Sequence, residues 1–281
     1  MMKSVTKGGE ALDLLNAIRS NSGQMDTVGL SDDNIIRFSD LDSNLLEAII
    51  EASAMHSDLT KRLGKDIMHK DEQSLVELLQ ADYVNFYAPA TVNPYVALAA
   101  RGPWIITSHG AVVHDNGGYG MLGAGHGPSS VISAMSQNWV MANVMTPSYE
   151  QFLFTNKLKE MIGNPCPYTK FAFLNSGSEA MELAGRIVDT FGKKKDTNKK
   201  SKYIVLENGF HGRTSNASLY SNSCYNLYRD NLKSYMYHNF IETVKVNDST
   251  DLLDKIIKIL NDGYLLDAII MEPVMGEGNP G

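Results

Sequence analysis

The segment 171–191, FAFLNSGSEAMELAGRIVDTF, limits the possible folds of this chain more than any other. A short apolar run, Phe171-Ala172-Phe173-Leu174, reads as a strand. It leads through Asn175-Ser176-Gly177-Ser178-Glu179 into a helix whose Ala180, Leu183, Ala184, Ile187, Val188 and Phe191 share one face. Ser176 and Glu179 stand at capping-box spacing and mark the helix start. Gly177 lets another group come close to the backbone. The N–H groups of Gly177, Ser178 and Glu179 have no acceptor inside the helix, and the helix dipole gives that end partial positive charge. The plain reading is a capped helix after a strand. The same geometry would hold a phosphate, with the Ser178 hydroxyl as a further donor.

The surrounding pattern gives this unit a context. Residues 1–80 read as a polar, helical N-terminal extension, with Leu45, Leu46, Ile49 and Ile50 as one apolar stripe and Leu75, Val76, Leu78 and Leu79 as another. It is expected to pack on the body or on a partner subunit. Residues 81–150 are expected to be a small-domain and interface segment. Within it, 116–149 carries no charged side chain and includes the glycine-rich run 117–128, followed by a helix expected from Pro128 to about Met141. Such a stretch suits a buried wall or a subunit interface. Residues 151–281 alternate helix and strand: a helix with Phe154, Leu158, Met161 and Ile162, the strand 171–174, the helix from 177, a strand 203–206, a helix at 252–260 and a strand 267–271. That alternation predicts an α/β domain with a parallel, helix-covered sheet, whose ligands bind beyond the carboxyl ends of the strands.

Composition narrows the function classes. At 43% hydrophobic and 20% charged residues the chain reads as soluble and globular, and its net charge of -7 argues against nucleic-acid binding. The lysines between Lys193 and Lys200 read as a solvated loop. Two cysteines, Cys166 and Cys224, at no metal-ligand spacing imply a reducing, cytoplasmic setting. No apolar window is long enough to span a membrane, and no metal site is expected from the scattered histidines.

Two further segments follow strands directly. Glu207-Asn208-Gly209-Phe210-His211-Gly212-Arg213-Thr214 offers two flat rings and a guanidinium fork that matches a carboxylate. Ile270-Met271-Glu272-Pro273-Val274-Met275-Gly276-Glu277-Gly278 offers two carboxylates in a loop stiffened by Pro273. Taken one at a time, these are a surface arginine, a core phenylalanine and a solvated acidic loop.

Together and in this order, the segments resemble the class III (subgroup II) aminotransferases, enzymes of fold type I that use pyridoxal 5'-phosphate (PLP). The matching stretches are Ser176-Gly177-Ser178-Glu179-Ala180, then Phe210-His211-Gly212-Arg213-Thr214, then Glu272-Pro273-Val274-Met275-Gly276-Glu277-Gly278. Upstream, Gly125-His126-Gly127-Pro128 is similar to a further family stretch, with Gly127 where a second histidine is usual. The resemblance covers roughly residues 100–281. It implies a large parallel-sheet α/β domain, part of a small N-terminal domain, and a homodimer. It also implies roles: Ser176, Gly177 and Ser178 at the PLP phosphate, Phe210 stacked on the ring with His211 beside it, Arg213 on a substrate carboxylate, Glu272 near the cofactor's reactive end, and Glu277 as a gate for the substrate arginine. The substrates would be a small amino donor and a 2-oxo acid.

The family's Schiff-base lysine follows the Glu272 segment, and here only nine residues follow Glu272. Lys233, Lys245, Lys255 and Lys258 precede it and are poor substitutes. These 281 residues are therefore expected to be the front part of a longer enzyme whose C-terminal part is absent. Alone they should bind PLP weakly and not transaminate. Competing readings are another fold type I chemistry (aminomutase or decarboxylase) and a non-catalytic truncated homologue. A dinucleotide-binding oxidoreductase is suggested by the G-x-G-x-x-G run at 118–123, but no acidic residue lies between Asp115 and Glu150 to take a ribose hydroxyl. A serine hydrolase is unsupported, since Ser178 lacks the nucleophile-elbow pattern.

Overall fold

The computed structural model describes residues 7–84, 89–116, 123–140, 145–196, 198–233, 235 and 238–276. The chain divides into two compact units, Met1–Val140 and Met141–Gly281.

In the first unit five helices precede a small sheet. They are α1 (Lys7–Ser20), α2 (Asp32–Leu41), α3 (Ser43–Leu63), α4 (Lys65–Met68) and α5 (Glu72–Gln80). The sheet is antiparallel, in the order β1 (Ala97–Arg101), β2 (Trp104–Thr107), β3 (Val112–His114). Helices make up most of the N-terminal region, and α3 packs on β1 and β2. Leu45 and Ile49 are fully buried in one cluster with Leu15, Ile35, Ile106 and Val112. Asp42 joins the layers: its carboxylate caps α3 at Asn44 N–H (2.9 Å) and accepts from Trp104 Nε1 (2.7 Å). Burial pushes this carboxyl up, but the bonds from Trp104 and Asn44 outweigh it and hold it below the usual carboxylate range.

The helix expected from Pro128 to about Met141 is shorter: α6 spans Ser129–Met135. Ser136 Oγ and Gln137 Nε2 donate to the Ser133 carbonyl, and Trp139 Nε1 donates to that of Ala134. Side chains thus take carbonyls that another helical turn would use. Val131, Ile132, Met135 and Trp139 are exposed.

The second unit contains α7 (Tyr149–Ile162), α8 (Gly177–Lys195), β4 (Ser201–Leu206), α9 (Ser215–Tyr220), α10 (Tyr225–Asn231), β5 (Ile241–Val244), α11 (Ser249–Asn261) and β6 (Leu265–Ile270). Its sheet is parallel throughout, in the order β5-β4-β6. The central strand β4 alternates in the strand period of two. Tyr203 and Val205 pack with Tyr220, Met181 and Val188 on one face, and Ile204 packs with Val244 and Ile259 on the other. Both faces are therefore covered by helices, as parallel sheets require.

Two sequence expectations fail in this unit. Residues 171–174 are not a strand: they join no ladder among the described residues. Strand propensity expresses itself only against a neighbour, and here the apolar side chains make ring contacts instead. The Phe173 ring lies 5.1 Å from Phe154 and 6.4 Å from Phe171. Conversely, β5 was not foreseen. Its Glu242 masks the apolar pattern, and that charge is satisfied by Lys202 Nζ at 2.9 Å. Among the described residues no helix is long and apolar enough to cross a membrane.

Candidate functional site

The start of α8 is built locally. Ser176 Oγ accepts from Glu179 N–H (3.2 Å), and the Glu179 carboxylate accepts from Ser176 N–H (3.0 Å) and Asn175 N–H (2.8 Å), a complete capping box. Of the three N–H groups expected to be open, that of Glu179 is thus taken by Ser176. The amides of Gly177 and Ser178 have no acceptor among the described residues. A Cβ on Gly177 would meet nothing within 4 Å, so this end of the helix faces open space.

The loop after β4 is held by side chains from elsewhere. Asn208 adopts a left-handed conformation (φ 61°), and its N–H is taken by Asn222 Oδ1 at 2.8 Å. Phe210 N–H donates to Glu272 Oε2 (2.8 Å), His211 N–H to Ser221 Oγ (2.8 Å), and Arg213 N–H to Ser178 Oγ (3.1 Å). Gly212 has φ 124° and lies against Ser178, where a Cβ would fall 2.5 Å from its Oγ. A side chain at 212 would separate the loop from α8. The Arg213 guanidinium lies over the Phe210 ring, 5.2 Å from its centroid.

Glu272 follows β6. Besides holding Phe210, it accepts from Gly276 N–H through Oε1 at 2.9 Å. It borders a crevice of about 430 Å³ at the carboxyl ends of the three strands, with Leu206, Val244, Asn247, Met271 and Met275 among its walls. This is where ligands sit in open parallel sheets. His211 stands beside Glu272. Burial pulls its imidazole below the ordinary histidine value, against an upward pull from the Glu272 charge. Its Nε2 is buried with no hydrogen-bond partner among the described residues.

The fold thus brings Ser176, Gly177, Ser178, Phe210, His211, Arg213 and Glu272 into one contiguous network. Glu277 lies outside the described residues, as do Gly278 and most of the glycine run 118–123. Two participants were missed from the sequence. Ser221 was hidden in the irregular region after the loop. Glu182 takes the Asn216 and Ala217 amides in the first turn of α9, and its signal was its position four residues after Ser178, on the same helix face. None of the four lysines weighed above is buried: Lys233, Lys245 and Lys258 are exposed and Lys255 is half-buried. Lys245 borders the crevice, and Lys255 and Lys258 pair with Glu242 (3.6 Å) and Asp262 (2.8 Å). Lys202 is buried, but it opens β4 at the opposite end from the crevice and is bound to Glu242 and Asn239.

The chain matches the family model for class-III aminotransferases over residues 86–279 and belongs to that family. Members of this family are PLP-dependent. Among curated relatives, ornithine aminotransferase 1 of Staphylococcus aureus is 27% identical over 211 residues, covering 73% of this chain and 49% of its own length. A glutamate-1-semialdehyde 2,1-aminomutase of Saccharolobus islandicus is 28% identical over 207 residues, covering 70% and 45%. The crystal structure of ornithine aminotransferase from Toxoplasma gondii superposes with a TM-score of 0.60 at 21% identity, over 77% of this chain and 49% of that one. The fold is that of the fold type I PLP enzymes. The chain spans about half the length of the curated relatives it matches.

Proposed function

We propose that these residues form the cofactor-binding walls of an enzyme that moves an amino group from an amino acid or amine to a 2-oxo acid. The observation that carries this reading is the direct joining of three motif segments: Ser178 Oγ takes Arg213 N–H, and Glu272 takes Phe210 N–H. The residues fit PLP. The open amides of Gly177 and Ser178 suit its phosphate. The Phe210 ring suits its flat face, and the unpartnered Nε2 of His211 suits a polar group beside it. When bound, PLP supplies the electron sink for reaction at an amino-bearing carbon.

In this reading Ser176 sets the helix end, Gly177 and Ser178 grip the phosphate, and Phe210 and His211 orient the ring. Arg213 binds a substrate carboxylate, and Glu272 stands near the reacting end while keeping the Phe210 loop in place. Glu277 gates the substrate side. The likeness to an aminomutase supports a second reading, in which the amino group moves within one molecule. A homodimer is proposed from the uncharged segment 116–149 and from exposed apolar side chains such as Trp139, Phe152 and Leu153. A cytoplasmic setting fits the free thiols of Cys166 and Cys224.

Calorimetric titration tests the cofactor reading. PLP should bind at least about tenfold more tightly than pyridoxal, which lacks the phosphate, and Ser178→Ala should narrow that gap. Equal affinity for the two ligands would reject the phosphate grip. In an active form, a need for a separate 2-oxo acid marks aminotransfer, and turnover of a single substrate alone marks the aminomutase.

A further inference from the structure

The α9 helix begins without a cap of its own: Thr214 occupies the N-cap position, and its side chain makes no capping bond. Glu182 of α8 takes that role from outside. One of its oxygens accepts from Asn216 N–H (2.6 Å) and Ala217 N–H (3.2 Å), and the other from Asn216 Nδ2 (2.9 Å). One turn earlier on the same helix face, Ser178 Oγ accepts from Arg213 N–H (3.1 Å). Two successive turns of α8 thus grip residues 213 and 216–217, the exit of the loop that carries Phe210 and His211. One turn further on, Gly185 has no side chain, and a Cβ there would fall 2.5 Å from the Tyr220 hydroxyl of α9. The two helices therefore meet closely along this whole face.

We propose that Glu182 is a positioning residue that fixes the Phe210–His211 loop relative to the phosphate-binding end of α8 and so sets the angle at which the PLP ring lies. The inference rests on the cofactor reading above. Serine and glutamate on this face do different work: Ser178 touches both the loop and the open helix end, whereas Glu182 faces only the loop exit. Burial pushes the Glu182 carboxyl up, but bonds from Thr214, Asn216 and Ala217 outweigh this and keep it ionised below the usual range. A charged acceptor with several donors is the stronger kind of tie. Leucine at 182 would leave the α9 amides without their partner. Glutamine would keep one acceptor oxygen and lose the charge.

The test uses 4-deoxypyridoxine 5'-phosphate, which has the phosphate and ring of PLP but no aldehyde, so that reaction with surface lysines is absent. The full chain and its Glu182→Leu and Glu182→Gln variants are titrated, and the induced circular dichroism of the bound ring is read at saturation. The expected result is about tenfold weaker binding in Glu182→Leu and a smaller loss in Glu182→Gln. Dichroism per bound ligand should fall in the same order, and amide exchange at 210–217 should quicken with the variant still folded. Unchanged affinity in Glu182→Leu would overturn the inference, as would weaker binding with unchanged dichroism, which marks mere loss of stability. Should Glu182→Leu fail to fold, the Glu182→Gln comparison decides by the same criteria. Failure of the unchanged protein to bind the probe would overturn the cofactor reading and this inference with it.

Discussion

The helical core of the first unit and the α7 region of the second treat apolar surface in opposite ways. In the first, Leu15, Ile35, Leu45, Ala48, Ile49 and Ile106 have no exposed surface at all. In the second, α7 presents Tyr149, Phe152, Leu153, Phe154 and Met161 at 55 to 85% exposure, and Phe173 and Leu174 are about half exposed. Yet the second unit carries the candidate site. The difference teaches that the site's geometry does not depend on a large core. It depends on side-chain to backbone bonds from Ser178, Glu182, Ser221 and Glu272 to one loop. The exposed apolar side chains of α7 lie outside that network of bonds.

Substitutions can break this contrast. The largest effect is expected in the first core: Ile49→Ala should lower its unfolding free energy by about 2–5 kcal/mol, measured by urea denaturation, because it opens a cavity among fully buried neighbours. A loss below about 1 kcal/mol would show that this core is loosely packed. Next comes Ser176→Ala, which removes half of the α8 capping box. It should cost about 1 kcal/mol in the second unit and leave the first unchanged. The smallest effect is expected at Phe152, exposed on α7. Phe152→Ser should change stability by less than about 0.5 kcal/mol while shifting the oligomeric state by light scattering. A large stability loss there would mean that α7 has packing that its exposure conceals.

Acid should reach both units through histidines, the buried His56 in the first and the half-buried His211 in the second. Burial, then the charges of His69 and His109, depress His56 in the first unit. Burial, opposed by Glu272, depresses His211 in the second. In each case the unfolded state binds a proton more readily, with an unfolded value near 6.5. The contribution of the neutral ring is therefore complete above that pH and is lost as pH falls through the depressed folded value. His56→Gln should flatten the acid limb of the first unit only, and His211→Gln that of the second only. Crossed effects in thermal melts between pH 5 and about 7 would contradict the separation.

Much of this was legible in the sequence, for reasons that are local. The capping box at Ser176 and Glu179, the stripe at Leu45 and Ile49, and the apolar run 203–206 each depend on neighbours a few residues away. Each motif segment is likewise a short run, and the order of the segments along the chain points to the family without the fold. The failures were non-local. Phe171 to Leu174 had the composition of a strand but no partner, and β5 had a partner but a charged residue in its pattern. Glu182 gave little sign of joining the site because the amides it binds lie 34 and 35 residues further on, and Ser221, only ten residues from the His211 amide it holds, sits in a stretch without periodicity.

The sequence by itself determined where α8 starts, which helix faces are apolar, and which segments match the family's motifs. Only the tertiary structure decided what holds those segments together. A backbone amide such as Phe210 N–H or Asn216 N–H must find an acceptor when it leaves water. Which carboxylate or hydroxyl supplies it, Glu272, Glu182, Ser221 or Ser178, is set by the parallel order of β4, β5 and β6 and by the close approach of α8 and α9. That order is a property of the folded chain as a whole, and no window of neighbouring residues contains it.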